Sequence, residues 1–278
     1  MPLTSTDDII GPAYDRNRGV GAFNVVQLEH AEAIVDGAHR AGLPVILQIS
    51  ENTVRYHGSL TPIGRAALSL AEEATVPVAV HLDHAESEDL VREAVRLGFT
   101  SVMFDASKLP YERNVAVTRA VTEYGHRADV LVEAELGEVG GKDGAHAPGV
   151  RTDPDEARAF AAATAVDCLA VAVGSSHAMA TRDAVLDFDL ISRLRDSVGV
   201  PLVLHGSSGV SDTNLAKAVR AGMTKVNIST HLNGIFSATV RRELDRRPTV
   251  SDSRTYIGAA REKVACEVAR LLRVLALA

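Results

Sequence analysis

One pattern repeats eight times along the chain: a short apolar run rich in β-formers, then a longer stretch with helical periodicity. The predicted strands are residues 21–26, 44–50, 78–83, 101–105, 130–136, 169–174, 201–205 and 225–229. The predicted helices are residues 28–41, 61–74, 87–97, 111–126, 154–165, 187–198, 212–221 and 232–244. Eight β-then-α units without a break in composition predict an α/β fold, a closed (β/α)8 barrel. An open doubly wound sheet has the same repeat and is the alternative.

The repeat extends over almost all of the chain, so we expect one barrel domain over residues 1–278. Residues 254–278 follow the eighth unit and predict an extra amphipathic C-terminal helix. That helix either packs against the barrel or forms a subunit contact, and a homodimer or homotetramer is expected.

Charge and composition exclude several classes of function. The net charge is −7 and no basic block stands out, which argues against a nucleic-acid surface or an anionic membrane partner. The two cysteines form no CxxC motif, as is usual in a reducing cytoplasm. The N-terminus is polar and acidic, unlike a signal peptide, and no apolar run approaches the roughly 20 residues that span a bilayer. A cytoplasmic location is expected.

Polar residues collect where the predicted strands end. Because the active site of a (β/α)8 barrel lies at the C-terminal ends of its strands, these residues are candidates for a site. They are Asn24, Ser50, Glu51, Asn52, Asp83, His84, Asp105, Ser107, Glu133, Glu135, Ser175, Ser176, His177, the run 205–209, Asn227, Ser229 and Thr230. Each one singly fits an ordinary capping residue, but their coincidence at one rim indicates a functional site.

Three of the ten histidines end strands, namely His84, His177 and His205. Three imidazoles with an open fourth position are typical of a catalytic zinc site. Asp105 and Glu135 then either hydrogen-bond the histidine ligands or form a second cation site. His81 lies within a strand, where a hydrogen-bonded core histidine is expected. Asp83 and His84 are neighbours on a strand, so they share one site only if the strand is ending there.

Two turns near the end of the chain suggest phosphate binding. Residues 206–209 form a turn of glycine and serine before a helix, and residues 227–230 lead into the next helix. Amides at a helix N-terminus bind phosphate well, and this is the usual phosphate position in such barrels.

Residues 137–149 are rich in glycine and long for a βα connection. They predict either a surface loop or a lid that carries a catalytic carboxylate.

Taken together, these residues resemble the class II, metal-dependent fructose-bisphosphate aldolases and their tagatose-bisphosphate relatives. The resemblance covers nearly the whole chain. Its motifs are AFN at 22–24, HLDH at 81–84, SVMFDAS at 101–107, VEAELG at 132–137, GG at 140–141, AVGSSH at 172–177, VLHGSSG at 203–209 and KVNI at 225–228.

The resemblance implies a role for each matching residue. His84, His177 and His205 would bind zinc, and a second metal or a monovalent cation is an expected addition. Asp83 would be the acid/base at the C4 hydroxyl, and Asp143 is the nearest match to the lid glutamate. The C1 phosphate would lie on Gly206, Ser208, Asn227, Ser229 and Thr230. Asn24, Ser50 and Ser207 complete the expected substrate site. The chain departs from the family pattern with Ala178 and Ser207, where the family has glycine, and with Asp143.

The function expected from this resemblance is reversible, zinc-dependent cleavage of a ketose 1,6-bisphosphate to dihydroxyacetone phosphate and glyceraldehyde 3-phosphate. A tagatose-bisphosphate or other ketose-phosphate aldolase is the nearest alternative. A Schiff-base aldolase needs a desolvated lysine in the barrel, and no lysine of this chain ends a strand. A zinc hydrolase or a non-catalytic phosphosugar-binding barrel could use the same strand-end residues.

Overall fold

The structure is a computed structural model that describes residues 3–136, 151–176, 182 and 184–278. Eight parallel strands pair in chain order and close between β8 and β1. The strands are β1 (Val20–Asn24), β2 (Val45–Ser50), β3 (Val78–Ala85), β4 (Ser101–Phe104), β5 (Leu131–Leu136), β6 (Cys168–Val171), β7 (Leu202–Leu204) and β8 (Met223–Ile228). The predicted (β/α)8 barrel is confirmed, and the open sheet is excluded.

Eleven helices surround the barrel within the described residues. They are α1 (Thr6–Asp15), α2 (Leu28–Ala41), α3 (Glu51–His57), α4 (Thr61–Glu73), α5 (Glu88–Leu97), α6 (Tyr111–His126), α7 (Pro154–Thr164), α8 (Phe188–Val198), α9 (Asp212–Ala221), α10 (Thr230–Arg246) and α11 (Ser253–Leu275). The bounds of α2, α6 and α9 are those predicted. α11 is the predicted extra helix, and it packs on α2, α9, α10 and β1.

The strands alternate between two buried faces, because successive side chains on a strand point in opposite directions. The outward face packs on the helices in one large apolar cluster. The inward face of the N-terminal half of the barrel is also apolar. It is formed by Val20, Ala22, Ile46, Ala79, Leu131, Cys168, Ala170 and Val203.

α1 lies across the N-terminal ends of the strands. Its Ile9 and Ile10 join the apolar inward cluster, and its Thr6 hydroxyl donates to Ser101 Oγ at 2.7 Å. Leu3, just before α1, bridges to the first residue of β3, Val78. This end of the barrel is therefore closed, and the opposite end is left for a site. Among the described helices, none combines the length and the apolar character that crossing a bilayer requires.

Candidate active site

A cavity of about 380 Å³ opens at the C-terminal ends of the strands. All of the predicted substrate-binding residues line it, together with Asp83 and His84. The strand-end residues therefore meet in one place, as the barrel topology requires.

An irregularity in β3 brings Asp83 and His84 to the same cavity. The φ angle of His84 is 51°, in the left-handed region that residues other than glycine rarely adopt. The pairing of β3 with β4 shifts register between Leu82 and Ala85. A bulge of this kind interrupts the alternation of side chains and redirects one of them. The sequence analysis required the strand to end at these residues, but β3 continues to Ala85 and the bulge turns His84 toward the site.

Two histidine–carboxylate pairs, one half-buried at His84 and one fully buried at His205, face each other beside this bulge. His84 Nδ1 lies 2.8 Å from Asp105 Oδ2, and His205 Nδ1 lies 2.9 Å from Glu135 Oε2. The two imidazole rings are 4.6 Å apart between centroids and are inclined at 61°. Asp83, His84 and His205 present ligand atoms within 4.8 Å of one another, and so do His84, Asp105 and Glu135.

His205 is fully buried between two carboxylates. Its Nε2 is 3.0 Å from Glu133 Oε1, on the opposite side of the ring from Glu135. Burial lowers the pKa of His205, but the hydrogen bonds to Glu133 and Glu135 outweigh burial and raise the pKa to about 9. The surroundings of this ring therefore favour positive charge.

The donor set fits a divalent metal ion. Two imidazoles and up to three carboxylates converge within one ligand-sized space, a mixture of nitrogen and oxygen donors that suits zinc and related metals. Glu133 contacts the second nitrogen of His205 and would fix the tautomer of a ligating imidazole. His84 and His205 are the nitrogen donors that the described residues supply.

The carboxylate of Asp83 is held by two side-chain amides. Asn24 Nδ2 donates to Oδ2 at 3.0 Å, and Asn227 Nδ2 approaches Oδ1 at 3.4 Å. Gln48 in turn donates to the oxygen of Asn24 at 2.7 Å. Burial raises the pKa of Asp83, but the positive field of His84 and the other nearby cationic groups outweighs burial and lowers it. The surroundings of Asp83 therefore favour its ionised form.

Two charged residues of the barrel interior, Glu133 and Lys225, were not among the predicted site residues with an assigned role. Lys225 Nζ lies 2.8 Å from Glu133 Oε2 and 2.9 Å from Asn227 Oδ1, and both charged residues are fully buried. Lys225 is therefore the desolvated barrel lysine that a Schiff-base aldolase would need, although it lies within β8 rather than at its end. It pairs with a carboxylate and is not among the residues that line the cavity.

The predicted phosphate turns meet at the β7 and β8 side of the cavity. Gly206 has a φ of 65°, and a Cβ there would lie 2.5 Å from the backbone of Ser176, so only glycine fits. Ser208 Oγ accepts from the backbone N–H of Ser229 and of His231 at the start of α10. Ser207 donates its hydroxyl to the Asn227 carbonyl. The turn and the N-terminus of α10 therefore lie together in the wall of the cavity, an arrangement that suits an anion.

The opposite rim of the cavity carries paired charges. Arg55 contacts Glu51 at 2.5 Å, and Lys108 contacts Glu86 at 3.3 Å. Glu51 also accepts from the Glu86 backbone N–H at 2.7 Å, so α3 and the segment after β3 are connected. The sequence analysis named Ser50 and Glu51 on this side of the cavity, but it assigned no site role to Arg55, Glu86 or Lys108, which do not end predicted strands.

Two predicted site residues, Asp143 and His177, lie outside the described residues, and so do Ala178 and the predicted lid of 137–149. His81 lies in the core, as expected, with Nδ1 2.8 Å from Ser101 Oγ. Its Nε2 makes no hydrogen bond to a described residue and lies 3.8 Å from Glu133.

The fold and the site together define a class of protein: a (β/α)8 barrel with an imidazole–carboxylate cluster that fits a metal ion, next to a glycine–serine turn at a helix N-terminus. Comparison with known proteins agrees. The model of the fructose-bisphosphate aldolase class-II family matches residues 4–278.

Individual relatives match at full length. The fructose-bisphosphate aldolase of Geobacillus stearothermophilus is 39% identical over 277 residues, which cover 98% of this chain and 96% of that protein. The fructose-bisphosphate aldolase of Staphylococcus aureus strain Mu50 is 40% identical over 269 residues, which cover 95% of this chain and 94% of that protein. The crystal structure of the YdjI aldolase from Escherichia coli K12 superposes with a TM-score of 0.86 at 31% identity, covering 98% of this chain and 97% of that chain.

The chain belongs to the class II fructose-bisphosphate aldolase family, whose members are metal-dependent lyases. The family expected from the sequence motifs is therefore confirmed.

Proposed function

We propose that this protein catalyses the reversible, zinc-dependent cleavage of fructose 1,6-bisphosphate to dihydroxyacetone phosphate and glyceraldehyde 3-phosphate. One observation carries the proposal. The carboxylate of Asp83 lies beside the His84 and His205 donors and lines the same cavity as the glycine–serine turn at Ser208. A base, a metal site and a phosphate site within one ketose-sized space are what a metal-dependent aldol cleavage needs.

His84 and His205 would hold the metal, with His177 as the third imidazole that the sequence predicts. Asp105 hydrogen-bonds the His84 ring and Glu133 hydrogen-bonds Nε2 of His205, and these two contacts would orient the rings. Nδ1 of His205, beside Glu135, is then the nitrogen that would take the metal. A bound divalent metal supplies an electrophile that polarises the substrate carbonyl and stabilises charge on the adjacent carbon.

Asp83 would take the proton of the C4 hydroxyl as the C3–C4 bond breaks. Its two amide neighbours, Asn24 and Asn227, fix the carboxylate and keep it an acceptor. In the condensation direction the same group returns the proton to the new hydroxyl. Asp143 is the residue we propose for proton exchange at the dihydroxyacetone phosphate carbon, and the family motif alone supports that assignment.

The two phosphates of the substrate would occupy opposite ends of the cavity. The C1 phosphate would lie on the turn at Gly206 and Ser208 and on the N-terminus of α10. The C6 end would then face the rim that contains Ser50, Arg55 and Lys108. We also propose that the protein is cytoplasmic and forms a homodimer or homotetramer.

The experiment is a cleavage assay of the zinc-loaded protein over a panel of substrates. The panel contains fructose 1,6-bisphosphate, its C4 epimer tagatose 1,6-bisphosphate, and fructose 1-phosphate. We expect fructose 1,6-bisphosphate to yield dihydroxyacetone phosphate with the highest kcat/KM. Faster cleavage of the epimer would reassign the substrate. Release of inorganic phosphate would indicate a hydrolase, and binding without turnover would indicate a non-catalytic barrel.

A further inference from the structure

Lys225 lies nearer the N-terminal end of the barrel than the site residues and connects the surroundings of Asp83 with those of His205. It lies on the inward face of β8, two residues before Asn227, so both side chains enter the barrel interior. Its ammonium contacts Asn227 Oδ1 at 2.9 Å and Glu133 Oε2 at 2.8 Å. Asn227 faces Asp83, and Glu133 faces His205. One buried cation therefore contacts a partner of the base and a partner of a metal-ligand candidate.

The contact with Asn227 determines which way its amide points. An ammonium group only donates hydrogen bonds, so it requires the amide oxygen of Asn227 on its side. The amide nitrogen then faces Asp83 Oδ1, at 3.4 Å. Without the ammonium, the amide could rotate and present its oxygen to the Asp83 carboxylate, which would be repulsive. On the other side of Asp83, Gln48 Nε2 donates to the Asn24 amide oxygen, and the Asn24 amide nitrogen faces Asp83.

The contact with Glu133 determines where that carboxylate lies. Lys225 takes one oxygen of Glu133, and the Nε2 of His205 takes the other. A buried carboxylate needs such a partner, because an uncompensated buried charge is strongly destabilising. Glu133 therefore lies where it can hold the imidazole of His205 in one orientation.

We propose that Lys225 is a positioning residue for the aldol reaction, which acts through Asn227 on Asp83 and through Glu133 on His205. It forms no bond to the substrate. The proposal rests on the proposed function, and it assigns the barrel lysine a role other than that of a Schiff-base nucleophile.

The test begins with Lys225→Met, which keeps the length of the side chain and removes its charge. We expect kcat to fall about 10- to 100-fold, the range for outer-shell partners of a metal site. KM should stay within about threefold, because the substrate makes no direct contact with this residue. Lys217→Met on the exposed face of α9 is the matched control and should behave as the unmodified protein does. A Lys225→Met protein with unchanged kcat would overturn the proposal.

Lys225→Met leaves Glu133 without its cation and could prevent folding. The double variant Lys225→Met with Glu133→Gln removes both charges and avoids this problem. It should turn over about tenfold more slowly than Glu133→Gln alone, because the Asn227 amide is still released. Equal turnover of these two proteins would contradict the action through Asn227.

Two further measurements do not depend on the substrate assignment. Zinc affinity, measured by competition with a chromophoric chelator, should weaken about 10-fold in Lys225→Met because Glu133 is no longer fixed. Unchanged affinity would contradict the action through Glu133.

Borohydride treatment of the unmodified protein with dihydroxyacetone phosphate should leave the peptide containing Lys225 unmodified. A reduced adduct on Lys225 would make it a nucleophile and would overturn the proposal. If no ketose phosphate is cleaved, the proposed function fails while the affinity measurement still decides the role of Lys225.

Discussion

The two ends of the barrel interior are built from the same strands but differ in chemistry. The N-terminal end is apolar and is closed by α1, where Ile9 and Ile10 pack against inward residues such as Ile46. The C-terminal end holds buried charges and amides around an open cavity. In several strands the change takes place within two residues, as between Ala79 and His81.

This difference separates stability from chemistry along each strand. Apolar side chains at the closed end contribute hydrophobic burial to folding and have no access to the cavity. Polar side chains at the open end are costly to bury, so they are kept in mutual contact, as Glu133 is with Lys225. Substitutions at the two ends should therefore produce different kinds of defect.

The largest effect is expected at the open end, from Asp83→Asn. We expect kcat/KM to fall by about 10²- to 10⁴-fold, because the proton acceptor is lost while the shape is kept. Zinc content should be unchanged if Asp83 is a base and not a ligand. Steady-state kinetics and metal analysis check this, with Asp189→Asn on the exposed face of α8 as the control. Loss of zinc with the activity would make Asp83 a ligand instead.

A smaller effect is expected from Glu133→Gln, a change on β5 one inward-facing position before Glu135. The amide cannot balance Lys225 or hold His205 as the carboxylate does. Zinc affinity or turnover should fall about 10- to 100-fold. The matched control is Glu123→Gln, at an exposed position on α6. If the two variants behave alike in chelator competition and in turnover, Glu133 has no part in the site.

The buried His81, between the two ends of the barrel, should make the free energy of unfolding depend on pH. Burial, followed by the charge of Lys225, lowers its pKa from 6.5 to about 3. The unfolded chain therefore binds one more proton than the folded chain between these values, and stability is lost as pH falls below 6.5. Relative to His81→Gln, the unmodified protein should lose about 2 kcal/mol of unfolding free energy between pH 7 and pH 5. Urea denaturation at both pH values measures it, and a difference that does not change with pH would contradict the buried neutral state.

The smallest effect is expected at the closed end, from Ile46→Val. Deleting one buried methylene should cost about 0.5–1.5 kcal/mol of unfolding free energy. The kcat/KM should be unchanged, because Ile46 packs with the apolar inward cluster and does not line the cavity. A loss of activity of about tenfold, equivalent to about 1.4 kcal/mol of activation free energy, would mean that the two ends are not separate.

The sequence predicted the barrel because each βα unit carries its own periodicity, and α2, α6 and α9 were bounded correctly. It missed α1 and α3. α1 contains Pro12 and lies in a segment that reads as a polar tail. α3 buries only Thr53, so it has no apolar stripe from which a helix could be predicted.

The sequence predicted the site residues that stand at the C-terminal ends of strands, where a barrel places its active site. That rule located His84, His205, Asp105 and Glu135, which the structure brings together. It named Glu133 as a candidate without a role and did not name Lys225, because both lie within strands rather than at their ends. A signal was available, since each precedes a strand-end residue by two positions and so shares its face. The left-handed backbone at His84 could not have been predicted, because no glycine or asparagine marks it.

The central claim is that the open end of the barrel holds a divalent metal on which aldol cleavage depends. Removing metal from the protein with a chelator, then assaying fructose 1,6-bisphosphate cleavage before and after adding zinc, tests this claim most directly. The account predicts that activity disappears with the metal and returns when about one zinc per chain is bound, as for a single catalytic site. Full cleavage activity in a protein shown by metal analysis to contain no metal would contradict it.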